Sequence, residues 1–332
     1  MSVPPASTAL ERQIRSQPVE LERLLREPIP HHVVERIRQA HRLWLVGTGT
    51  SLHAAELGAI MLHDAGRGAH AMSSMQFVNW APPIDPQDGV ILISHNAGAE
   101  TAYAGATWTM GMDAGLRVVP ITRRDGELPE ALQTVAKETS HTYTVSYTAV
   151  LLLLARIAHA LGAEAFAPDV LARVPRAIQA AIDEPGTGSI AQPARLLVFA
   201  GEGPAAVTAR EAALKVREAS RFAAEGYDVE YLLHGSAVPL NASDHLVMLS
   251  PPDTDGLVAA VGRTAEEEGV EVTNLREPAA LPPILAQIPL VARLQLLALR
   301  FAKERGQDPD VVIERAWAAD DLWEIGAPGK KG

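Results

Sequence analysis

"RLWLVGTGTS" (residues 42–51) and "RLLVFAGEGP" (residues 195–204) decide the fold. Each opens on an arginine, runs through a short apolar stretch and breaks on two glycines one residue apart, ahead of an alanine-rich segment of helical spacing. A buried strand, a tight turn and a helix form the unit from which parallel α/β sheets are made. The two arginines stand 153 positions apart.

Working outward, "LHAAELGAIMLHDAG" reads as a helix ending at Gly66. The order recurs with the strand "GVILI" (89–93), the turn "SHNAGAE", the helical "TAYAGATWTMGMDAG" and the strand "RVVPIT" (117–122). In the second half "HLVMLSPP" puts Ser250 156 positions after Ser94, and "VEVTNL" starts at Val270, 153 after Arg117. Three matches near one period predict two tandem, doubly wound parallel-sheet domains, at residues 31–183 and 184–332. The joint is expected in "AIDEPGTGSIAQPAR" (181–195), rich in Gly, Pro and Ser and without an apolar period. Residues 1–30 read as a helical N-terminal extension: two short helices broken before Pro18, then the turn-rich "REPIPHH".

Composition removes several classes of function. A formal net charge of -11 argues against a nucleic-acid or anionic-membrane surface, so an anionic ligand has to be held locally. With no cysteine in the chain, disulfides, thiolate metal sites and a cysteine nucleophile are excluded. The first residues carry regular charges and no apolar core of a signal peptide, and the apolar run "AVLLLLARIAHALGA" from Ala149 is short and contains Arg156. A soluble cytoplasmic protein is expected, with no metal or cofactor.

Ligands of open α/β sheets sit beyond the carboxyl ends of the strands, where the next helix offers unpaired N–H groups and the positive end of its dipole. "GTGTS" and "SHNAGAET" occupy two such turns. Thr50, Ser51, Ser94, His95, Asn96 and Thr101 would bind a phosphate there, with Gly47, Gly49 and Gly98 allowing close backbone approach. The same residues also serve as ordinary helix caps and turns. The third glycine of a dinucleotide fingerprint and the lysine of a nucleotide-binding P-loop are both missing.

From Pro204 to about Gly226 the spacing is helical, with Ala212, Val216, Ala219 and Phe222 as an apolar stripe. Lys215 and Glu218 are three apart on one face, and Glu211 is four before Lys215. A surface ion pair is one reading. The other is a shielded carboxylate base whose pKa an ammonium tunes, with His234, next to Gly235, as a proton carrier on a projecting loop.

"EAALKVREASRFAAEGYDVEYLLHGSAVPL" (211–240) resembles the signature of the isomerase domain of glucosamine-6-phosphate synthase, which runs E-x-A-L-K-x-K-E, H-A-E-x-Y, E-x-x-H-G-P. "GTGTS" resembles that family's C-G-T-S phosphate loop, and "QIRSQPVELERLL" the helix that precedes it. The resemblance covers nearly the whole chain and implies a pair of flavodoxin-like sugar isomerase (SIS) domains. It implies Glu218 as the base that moves a proton between C1 and C2 of an open-chain sugar, Lys215 as its neighbour, and His234 as the ring-opening residue, contributed across a homodimer. It implies Thr50, Ser51, Ser94, Asn96 and Thr101 around the phosphate.

Departures from the pattern are equally specific. The family's synthase carries a glutaminase domain with a cysteine nucleophile, so the resemblance implies no glutamine-dependent amidotransfer by this polypeptide alone. "SHNAGAET" replaces the usual S-x-S-G-E-T, and Trp317 in "ERAWAADDLWEIG" stands where a tail lysine is expected. The expected function is aldose–ketose isomerisation of a phosphorylated hexose or amino sugar, with or without coupled deamination or deglycation. A non-catalytic sugar-phosphate sensor is the alternative.

Overall fold

The computed structural model describes residues 7–80, 83–96, 102–250, 256–278 and 280–321. The chain forms two compact units. Glu20–Lys137 and Ser146–Ala172 make the body of the first; Arg173–Val312 makes the second, joined by Glu138–Val145 and the residues up to Val19.

The first unit's sheet holds β1 (Leu43–Gly47), β2 (Ala69–Ser73), β3 (Gly89–Ile93), β4 (Arg117–Thr122) and the short β5 (Leu132–Gln133), all parallel, in the order β2-β1-β3-β4-β5. The second holds β6 (Leu197–Gly201), β7 (Ala224–Asp228), β8 (His245–Ser250) and β9 (Glu271–Arg276), all parallel, in the order β7-β6-β8-β9. Every residue of β1, β3, β6 and β8 is buried. Helices on both faces require this, which is why these strands read as unbroken apolar runs. β2 ("AHAMS") and β7 ("AEGYD") were not anticipated from the sequence. They are half-exposed edge strands with too little apolar content to stand out.

In chain order the helices are α1 (Ala9–Arg26), α2 (His31–Arg38), α3 (Thr50–Asp64), α4 (Ser74–Trp80), α5 (Ala102–Asp113), α6 (Val145–Ala160), α7 (Pro168–Leu171), α8 (Val174–Asp183), α9 (Pro204–Ser220), α10 (Val229–Tyr231), α11 (Leu257–Glu267) and α12 (Pro283–Arg305). Two sequence expectations need correction. α1 runs unbroken through Pro18 rather than splitting before it. Proline removes the N–H that would serve the Ile14 carbonyl, and Gln17 Nε2 donates to that carbonyl instead, at 3.0 Å. α9 ends at Ser220 rather than near Gly226, because Arg221 takes a left-handed conformation (φ 53°) and the chain turns into β7. Ala212, Val216 and Ala219 form the buried stripe, while Phe222 lies beyond the helix, edge-on to Phe301.

By length and composition α12 is apolar enough to cross a membrane, yet 89% of its apolar window is buried inside the fold. Its side chains account for much of the second unit's core, including Leu285, Ile288, Leu294 and Leu297. Its arginines also fasten the segment expected to be the joint: Arg300 donates to the carbonyls of Thr187 and Ile190, and Arg293 to that of Glu184.

Candidate active site

At the carboxyl edge of the first sheet, β1 ends on Gly47, where a Cβ would lie 2.6 Å from the Ser51 backbone; only glycine fits so tight a turn. Gly49 follows at φ 56°, ψ −126°, and α3 begins at Thr50. The Ser51 and Leu52 amides donate back to Thr48 and Gly49 at 3.0 and 2.9 Å. Those amides are taken up within the turn, and the start of α3 still carries the positive end of the helix dipole. Thr50 and Ser51 are half-buried at this end, and the Thr48 hydroxyl is paired with that of Ser74. One strand over, Ser94 is buried at the end of β3, its amide bound to the Ile121 carbonyl at 3.0 Å, and His95 and Asn96 follow, half-buried. Thr101 and Gly98 lie outside the described residues.

In the second unit two of the expected catalytic residues, Lys215 and Glu218, sit on α9, near its carboxyl end. Lys215 Nζ lies 2.6 Å from Glu218 Oε2 and 3.5 Å from Glu211 Oε1. The side chains of Lys215 and Glu211 are wholly buried, while Glu218 keeps 19% of its surface open. The pair is therefore no surface ion pair. Sequence reasoning missed a further carboxylate. Glu138 is buried, accepts bonds from the Thr144 amide (3.1 Å) and hydroxyl (3.2 Å), and adds its field at Lys215. Its segment is held to the second unit by Ser140 and Thr142, whose hydroxyls donate to the Pro309 carbonyl at 3.3 and 2.9 Å.

The electrostatics follow from this crowding. Burial alone would push the Lys215 ammonium down, but Glu218, then Glu211 and Glu138, outweigh it and hold its pKa above the ordinary lysine value. Burial, against the pull of Lys215 and with the added push of Glu211, raises Glu218 above the ordinary carboxylate value. One ammonium is shared among several carboxylates, so the attraction of Lys215 does not cancel the effect of burial on Glu218. Glu218 is thus an accessible carboxyl poised to exchange a proton.

His234 sits apart from this cluster. Past β7, Asp228 caps α10 by accepting from the Glu230 amide at 2.8 Å, and the chain then leaves helical geometry at His234 (ψ 36°) and Gly235 (φ 118°). His234 is exposed and makes no hydrogen bond or ion pair to Lys215 or Glu218 among the described residues. Tyr231, Leu233 and Val238 beside it are exposed apolar side chains.

No family model matches the chain. It is 28% identical over 309 residues to a glutamine–fructose-6-phosphate aminotransferase of Gloeobacter violaceus, covering 81% of this chain and 50% of that protein. The chain spans about half the length of the curated relatives it matches. Among solved structures, tagatose-6-phosphate ketose/aldose isomerase from Escherichia coli superposes with a TM-score of 0.75 at 20% identity, covering 95% of this chain and all of that one. Glucosamine-6-phosphate deaminase from Thermotoga maritima superposes with a TM-score of 0.75 at 18% identity, covering 91% and 97%. The chain resembles the isomerase domain of these aminotransferases and has the sugar isomerase (SIS) fold.

Within the SIS fold the expected site residues fall into three places. Thr50, Ser51, Ser94, His95 and Asn96 share one edge of the first sheet; Lys215 and Glu218 share one face of α9 with Glu211; His234 occupies an exposed loop. Glu138 had no readable signal, since it lies 77 residues before Lys215 in a segment of no regular period. Trp317, where the SIS synthase pattern has a lysine, is exposed on a short 3-10 turn.

Proposed function

We propose that the protein is a sugar-phosphate isomerase-type enzyme acting on a phosphorylated hexose or amino sugar. The observation that carries the reading is Glu218: an accessible carboxyl with a raised pKa, held 2.6 Å from a buried ammonium. The Glu218 carboxylate removes the proton from C2 of an open-chain aldose, or from C1 of the ketose in the reverse direction. The C–H electron pair becomes the double bond of an enediol-type intermediate, negative charge gathers on the adjoining oxygen, and the same carboxyl returns the proton to the other carbon. No atom is gained or lost, and no redox partner is required.

Lys215, with no accessible surface, acts through Glu218: it orients the carboxylate and limits how far its pKa rises. Glu211 and Glu138 position Lys215 in turn. The turns after β1 and β3 hold the phosphate by amides and hydroxyls. His234 opens the sugar ring, and its loop serves a neighbouring subunit of a homodimer; the exposed Tyr231, Leu233 and Val238 fit a contact surface there. The matched order and geometry of the two units support their origin as tandem copies. Deamination or deglycation of an amine-bearing substrate uses the same proton transfer. These residues hold no cysteine, so a glutaminase thiolate is not among them.

The test is proton exchange at C2 of an aldose phosphate or C1 of a ketose phosphate. Wild-type protein incubated with hexose and amino-sugar 6-phosphates in deuterated water should wash deuterium into the substrate, and Glu218→Gln should not. Exchange that persists in the variant rejects Glu218 as the base. Stabilisation by the sugar phosphate with no exchange even in wild type would favour the sensor.

A further inference from the structure

We propose that Arg123 is the cation of the phosphate site, a specificity-determining residue for a phosphorylated over a neutral sugar. The inference rests on the phosphate reading of the turns after β1 and β3 and extends it to a residue outside both.

Those turns contain no lysine or arginine, and the chain carries a net charge of -11. Amides and hydroxyls orient a phosphate, but against such a background a dianion also calls for a positive charge nearby. In the order β2-β1-β3-β4-β5 the carboxyl ends of β1, β3 and β4 lie along one edge, and Arg123 directly follows Thr122, the last residue of β4. Its amide donates to the His95 carbonyl at 3.2 Å, while the Ser94 amide donates to Ile121 at 3.0 Å. The backbone of Arg123 is thereby tied to the Ser94–Asn96 turn, one strand spacing of about 5 Å away.

The guanidinium is uncommitted. Nη1 reaches only the Arg124 and Asp125 carbonyls, at 3.4 and 3.5 Å, the long limit of a hydrogen bond. Nε is buried and has no acceptor. No carboxylate pairs with Arg123 among the described residues, whereas other arginines of the unit are engaged: Arg124 with Glu20, Arg42 with Asp88, Arg36 with Glu130 and Arg23 with Glu20 and Glu27. Arg123 thus leaves the strand next to a phosphate-type turn with a guanidinium held only by two long bonds, and a planar guanidinium is matched by two phosphate oxygens.

Titration calorimetry of inorganic phosphate into the full chain, at two ionic strengths, tests this. Arg123→Ala should weaken phosphate about tenfold or more and flatten the salt dependence, as expected for one lost charge-assisted contact. Arg123→Lys should recover part of the affinity. Because Arg123 makes no ion pair, the ligand-free melting temperature should stay near wild type; if the alanine variant unfolds, Arg123→Gln takes its place. Wild type and variant binding phosphate within twofold of each other would overturn the role of Arg123 and leave the phosphate reading standing. No binding by wild-type protein would overturn both.

Discussion

The turn after β1 and the turn after β6 have almost the same backbone and opposite chemistry. Gly49 sits at φ 56°, ψ −126° and Gly203 at φ 53°, ψ −124°. A Cβ on Gly47 would meet Ser51 at 2.6 Å, and one on Gly201 would meet Ala205 at 2.7 Å. Even the far ends of the strands match: Arg42 clasps Asp88 and the Pro83 carbonyl, and Arg195 clasps Asp244 and the Pro239 carbonyl. Where the first turn offers Thr48, Thr50 and Ser51, however, the second has Glu202, Pro204 and Ala205. A carboxylate in place of hydroxyls repels a phosphate.

The helices differ in the opposite sense. With their starts aligned, the positions of Glu211, Lys215 and Glu218 in α9 are Leu57, Met61 and Asp64 in α3. Leu57 and Met61 are fully buried, so the fold asks only for apolar volume there. Burying Glu211 and Lys215 at those positions costs desolvation that ordinary packing would avoid, which points to a functional reason. The first unit has its polar groups at a helix start, where the dipole favours anions; the second has them near a helix end, where the dipole helps to raise the pKa of a carboxyl.

Substitutions at matched positions can break this comparison. Glu218→Gln should lower kcat by about three orders of magnitude, within the range for general-base loss, while leaving inorganic phosphate affinity unchanged. Asp64→Asn, its counterpart, should leave kcat as it is; steady-state kinetics on both variants decides. Lys215→Met strands several carboxylates in the core and should cost about 3 kcal/mol in urea unfolding. Making α9 like α3, Glu211→Leu with Lys215→Met, should restore part of that stability and none of the activity. Gly47→Ala and Gly201→Ala should each destabilise by roughly 1–3 kcal/mol through their backbone clashes, with only Gly47→Ala also weakening phosphate.

The smallest effect is one of pH. Because the Glu218 pKa is raised, the acid limb of kcat/KM should lie above 4.5, with activity lost as pH falls through the folded value. For stability the signs follow the same shifts. The folded chain holds the Glu218 proton more tightly than the unfolded one, so that contribution is present below 4.5 and lost as pH rises through the folded value. The raised pKa of Lys215 gives a contribution intact below 10.5 and lost only above it. An acid limb at or below 4.5 would remove the case for a burial-tuned base.

Much of the architecture was legible because buried parallel strands and glycine turns leave plain marks. β3 and β4 fall at the expected residues, 89–93 and 117–122, and β1, β6, β8 and β9 within two. β2 and β7 left no such mark, since an edge strand can be polar without cost. Pro18 misled because a break in one hydrogen bond was mended by the next side chain, which no periodicity records. The spacing of Lys215 and Glu218 established that they share a helical face. Only the tertiary structure decided that this face is buried, that Glu218 alone of the three keeps an opening, and that Glu138 adds to the field at Lys215. Helical neighbours follow from 3.6 residues per turn, a local rule written in the sequence. Burial and the convergence of distant charges depend on which surfaces the folded chain brings together, and that is what moved this ion pair from the surface to the core.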